Sequence, residues 1–166
     1  MWCYTGRRVN VMGFSDTETM KKGLRVGTGI GAIDLPNGTI LIMVHQAAYN
    51  PTCDHSLLSV FQMEQCVEKV NTRSKKYHGG KQEIVINKDV KIPLRLTECL
   101  MTFDVRPPTD EELSTLTPYS LTLDDVWDPS KYNDEEGEKK FTNPSLTTKM
   151  RLKQLMTSHN LVPQIL

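Results

Sequence analysis

Between Val9 and Val60 short apolar runs alternate with turn signals, a pattern that predicts β-strands. Residues Arg8 to Phe14 alternate apolar and polar and read as one strand. Leu24 to Ile33 reads as a second, interrupted by Gly27, Gly29 and Gly31. The longest apolar run, Ile40 to Val44, sits inside Thr39–Tyr49 and follows Asn37-Gly38. Asn-Gly between apolar segments is the strongest short-range hairpin signal, so a tight turn is predicted at Asn37-Gly38.

Beyond the hairpin, Leu57, Val60, Phe61, Val67 and Val70 recur among charged residues at a spacing that predicts a short amphipathic helix within Ser56–Val70. Glu83–Ile86, Val90–Leu96 and Leu100–Val105 then read as strands. Pro93 cannot donate to a ladder, which confines its strand to an edge or a bulge. Thr109, with Glu112 three residues later, carries a helix-start signature, and Ser120–Leu123 is a last strand candidate. These elements place one β-rich domain over residues 1–123. An acidic stretch over 124–145 has few apolar residues and reads as a disordered linker, and 146–166 reads as a short basic amphipathic tail.

At 166 residues the chain has room for one domain with a real core. Lys+Arg and Asp+Glu are 20 each, so the zero net charge gives no chain-wide attraction to nucleic acid or to an anionic membrane. No run approaches the roughly 18 apolar residues of a membrane helix, and no membrane partner is expected. No secretory signal pattern precedes the first strand. The four cysteines, Cys3, Cys53, Cys66 and Cys99, are widely spaced without a Cys-x-x-Cys pair, which suits a reducing, intracellular setting, cytoplasmic or nuclear.

Several segments bear on function. Gly27-x-Gly29-x-Gly31 has neither the dinucleotide spacing nor a P-loop lysine, so its glycines read as sites of a bulge or close backbone approach. Arg73–Lys81 is a basic loop with one aromatic, a solvated loop or a nucleic-acid contact. His45, Cys53, His55 and Cys66 offer four nitrogen and sulfur ligands, but their spacing matches no common zinc class, and buried side chains are the expected reading, with no metal and no cofactor. Asn37-Gly38-Thr39 fits a glycosylation pattern, yet the hairpin turn accounts for it.

Five segments in order carry a family resemblance: Tyr4-Thr5-Gly6, the Ile40–Val44 run with His45-Gln46-Ala47 behind it, Asp54–Met63 with its Leu57-Leu58-Ser59-Val60-Phe61-Gln62-Met63, Arg106–Leu113, and Trp127–Ser130. Over roughly residues 4 to 130 the chain resembles the protease-like region of copia-type retrotransposon polyproteins. The resemblance implies an all-β fold, a small retropepsin-like antiparallel β-barrel with one or two short helices. It also implies a possible homodimer and a peptide or polyprotein segment as partner.

In that family a catalytic Asp-Ser/Thr motif lies upstream of Tyr-Thr-Gly, and only Met1-Trp2-Cys3 precede Tyr4 here. Asp16-Thr17-Glu18 is the one Asp-Thr or Asp-Ser dipeptide in the chain, and Glu18 puts a like charge where the motif wants a small residue. It reads as a surface turn. No catalytic residue is therefore assigned, and the expectation is a protease-like region that is non-catalytic by itself. The alternatives are a β-rich module for protein or RNA, and an active aspartic endopeptidase whose aspartate lies upstream of Met1.

Overall fold

The structure is a computed structural model that describes residues 1–12, 20–53 and 55–128. They all fall within one compact unit, Met1–Asp134. Asp16 and most of the expected linker and tail, from 129 onward, lie outside the described residues. In chain order the elements are β1 (Trp2–Val11), β2 (Lys21–Leu35), β3 (Gly38–Tyr49), α1 (Val60–Met63), β4 (Lys69–Asn71), β5 (Glu83–Val85), β6 (Lys91–Pro93), β7 (Arg95–Thr97), β8 (Leu100–Thr102), α2 (Asp110–Thr115) and β9 (Tyr119–Ser120). The protein is mostly β with two short helices, as the patterning predicts, and its main sheet curls into a half-barrel.

That sheet has the order β1-β2-β3-β9, with β4-β5-β6 and the β7-β8 hairpin as separate small sheets. The β2–β3 hairpin turns at Pro36-Asn37, between the paired Leu35 and Gly38, one residue earlier than Asn37-Gly38. Proline presets the φ of a turn's second residue, and Gly38 follows at φ +128°, so glycine's freedom is needed at the strand entry. One pairing departs from the expected antiparallel scheme: β9 runs parallel to β3, Ile42 opposite Tyr119 and Met43 opposite Ser120.

Leu41, Ile42 and Met43 are consecutive and all buried. A strand covered on both faces keeps no polar alternation. Ile42 faces a core of Ile33, Met63, Val67, Val70, Ile84, Ile92, Leu94 and Leu121. The 105–106 segment lies along β2, where Ala32 and Arg106 exchange both backbone hydrogen bonds at 2.8 and 3.0 Å.

The helix predicted over Ser56–Val70 is cut to one turn, Val60–Met63, capped by the Ser59 hydroxyl, which accepts from the Gln62 N–H. Val70 instead pairs with Ile84 in β4–β5. A β-branched side chain buried in a sheet outweighs its place in a helical spacing. The strand expected over Val90–Leu96 divides at Leu94 into β6 and β7, and β6, with Pro93, is an edge strand as proline requires. The start signature at Thr109 is a full capping box: Thr109 accepts from the Glu112 N–H, and Glu112 accepts from the Thr109 N–H. Past Leu123, the Gln46 amide donates to the Asp124 carbonyl at 2.7 Å and the Trp127 ring meets Phe61 edge-on at 5.7 Å, so contacts with the sheet and α1 continue to 127.

Arg106 ties three of these parts together. Its guanidinium donates to both carboxylate oxygens of Asp34 at 2.8 Å and to both of Glu112 at 3.0 and 2.6 Å. Those bonds, with the Thr39 hydroxyl on Asp34 and the Thr109 N–H on Glu112, hold each carboxyl at about 2, below the ordinary 3.8 and 4.5. Carboxyls depressed in the folded state add stability that is complete above about 4.5 and is lost as pH falls toward about 2. Asp34 is 60% exposed, so salt screens part of this. Arg106→Gln is therefore expected to lower the urea midpoint at neutral pH and to flatten its decline between pH 4.5 and 2. Parallel pH profiles for the two proteins would show that the clamp is not the source.

Candidate functional site

Of the sequence-proposed ligands, His45 lies in a polar cluster. It lies at the end of the buried part of β3, its side chain 9% exposed. Thr28 Oγ1 stands 3.0 Å from Nδ1, Ser120 Oγ 3.4 Å from Nε2, and an Asp124 carboxylate oxygen 3.5 Å from Nδ1. Burial pushes the imidazole's pKa down and outweighs the upward pull of Asp124, so the ring is held neutral.

Serine, histidine and aspartate are the residue types of a nucleophilic triad, but Thr28 is closer to Nδ1 than Asp124 is, and Ser120 lies beyond the reach of a firm nucleophile–base bond. The cluster's geometry serves attachment. The Thr122 hydroxyl accepts from the His45 N–H at 2.8 Å and donates to the His45 carbonyl at 3.0 Å, fastening the strand end to the segment after β9.

The other three proposed ligands are not gathered around it: among the described residues no group of three or more His, Cys, Asp or Glu can hold a metal ion. All four cysteines are free thiols, and burial raises the Cys66 thiol to about 11, which leaves it unreactive. Gly27, Gly29 and Gly31 of β2 are sites of close approach. A Cβ on Gly27 would overlap the Cys3 carbonyl oxygen, one on Gly31 would overlap the Val105 side chain, and one on Gly29 would touch the Trp2 ring at 3.3 Å.

The surface chemistry gathers instead on the outer end of β1 and β2. Between Tyr4 and Arg8, β1 takes four steps where β2 takes two, from Gly27 to Arg25. Gly6, at φ +80°, makes that bulge possible. In a regular strand neighbours point to opposite faces, yet across the bulge both Arg7 and Arg8 line one cleft, with Tyr4, Gly6 and Arg25. The cleft is open and about 200 Å³. The Arg25 guanidinium lies 5.1 Å from the Tyr4 ring centre. Trp2 and Tyr4 both meet Tyr49, at 5.0 and 6.0 Å between ring centres.

Arg8 and Arg25 are direct cross-strand partners. Like charges so placed cost stability. Arg7 donates to the Gln46 side chain at 2.8 Å and Arg8 to the Gly23 carbonyl at 2.7 Å; among the described residues none of the three arginines forms an ion pair. The sequence pattern predicts strand here only from Arg8 onward and from Leu24 onward, and places the basic candidate at Arg73–Lys81. The available signal was three arginines and three aromatics on what become adjacent strands.

No family model, no curated protein and no solved structure matches the chain. Among the described residues no helix is long and apolar enough to cross a membrane.

Proposed function

We propose that this protein is a retropepsin-like region of copia-type retroelement origin that works as a binding module and not as a peptidase. The observation that carries the reading is the cleft of Tyr4, Arg7, Arg8 and Arg25, an open site whose cations have no acidic partner among the described residues. A fold that sets like charges opposite each other at its surface, where they weaken the pair, has them available for a ligand of opposite charge. The mostly β body, its curled sheet and the motif order from Tyr4 to Trp127 support the retropepsin-like part of the reading.

The His45 cluster does not supply a nucleophilic triad in place of an aspartic dyad, since its ring and backbone are engaged in holding β3 to the β9 segment. The full chain is expected to leave peptide and polyprotein substrates intact at acidic pH, about 4 to 6, where an aspartic dyad works. Pepstatin-sensitive cleavage that Asp16→Asn abolishes would overturn the reading and make the Asp16-Thr17-Glu18 sequence a working variant of the motif.

A further inference from the structure

We propose that the cleft of Tyr4, Arg7, Arg8 and Arg25 binds the backbone of a single-stranded nucleic acid, with the Trp2, Tyr4 and Tyr49 rings beside it receiving unpaired bases. The inference rests on the binding-module reading and names its partner.

The charge argument comes first. Three guanidiniums line one cleft of about 200 Å³; Arg7 and Arg8 each keep N–H donors beyond the one hydrogen bond that positions them, and Arg25 lies over the Tyr4 ring. Guanidinium forks match phosphate oxygens in pairs, and three around one small space suit a phosphodiester better than a lone carboxylate. The second argument is the rings. Tyr4 is 41% exposed and carries Arg25 on its face, and Trp2 and Tyr49 adjoin it. A cationic track interleaved with aromatic side chains is how proteins hold single strands, because every base offers a π-face whatever its sequence. A duplex hides those faces, so the partner is single-stranded.

The Arg73–Lys81 loop is the weaker claimant. Its Lys81 reaches Glu83 at 3.9 Å, so part of its charge is already answered locally.

The test is fluorescence anisotropy of the full chain with oligouridine and oligodeoxythymidine of about 12 nucleotides, in about 50 mM salt. Binding of either strand, with log affinity falling against log salt at a slope of about −2 for three phosphates, is expected. Arg8→Gln, Arg25→Gln and Tyr4→Ala should each weaken it about tenfold, while Tyr4→Phe and the paired Lys75→Gln, Lys76→Gln change stay within about twofold. All five positions are exposed in the fold, so every variant should stay folded, its thermal melt within a few degrees of the parent's.

Three results overturn the inference: no binding at low salt, loss of binding through the lysine pair and not through the arginines, or equal affinity for heparin fragments with Tyr4→Ala silent. The last would mark a general polyanion surface. Absent binding in a chain that also leaves peptide intact sinks this inference alone; peptide cleavage sinks the module reading beneath it.

Discussion

Leu121→Ala is expected to lower the unfolding free energy by about 2–5 kcal/mol, measured as a drop in urea midpoint at unchanged slope. Leu121 has no exposed surface, and it packs with Ile42, Ile84 and Ile92 in the core. Its N–H donates to the Met43 carbonyl at 2.8 Å, so the backbone there is held and cannot collapse into the space the side chain leaves. Leu57, 87% exposed, supplies the contrast: Leu57→Ala should move the midpoint hardly at all. Equal effects at the two positions would mean that the β9 segment is not packed as described.

Gly27→Ala should cost about 1–3 kcal/mol, from overpacking alone. The added methyl would meet the Cys3 carbonyl oxygen, which is backbone, so β1 itself must move. A methyl facing a flexible side chain would be accommodated far more cheaply. Because Tyr4 is the cross-strand partner of Gly27, the shift should also part Trp2 and Tyr4 from Tyr49. Tryptophan emission that moves to longer wavelength along with the lost stability is the expected pair of readings. Unchanged emission with full stability would show that β1 does not lie against Gly27.

How far the sequence predicted this fold can be followed residue by residue. The β2–β3 hairpin was legible because its apolar alternation and its turn residues agree, and only the turn's phase slipped, since Pro36 takes the second position itself. The capping box at Thr109 was legible because it is wholly local. Ser56–Val70 was not, because Leu57, Val60, Phe61, Val67 and Val70 fit a helical spacing while the decisive partner of Val70, Ile84, lies in another segment. The parallel course of β9 against β3 has no local signature either.

The candidate site was hidden for the same reason. Tyr4, Arg7, Arg8 and Arg25 meet only through the pairing of β1 with β2 and the bulge at Gly6, and strict alternation would have put Arg7 and Arg8 on opposite faces. Gly27, Gly29 and Gly31 were readable as points of close approach, but what approaches them, Cys3, Trp2 and Val105, was not.

The union of His45 with Thr122, 77 residues apart, sets an order of events for folding. Closing a chain of that length costs about 4 kcal/mol in loop entropy, whereas β2 and β3 are joined by a two-residue turn and meet at almost none. The hairpin is therefore expected to form first, with the β9 segment covering Ile42 afterwards. Because that arrival is the long-range step, the protein falls among the slower folders for its size, and its rate should respond to changes at Leu121 and Thr122 more than to changes at the Pro36-Asn37 turn.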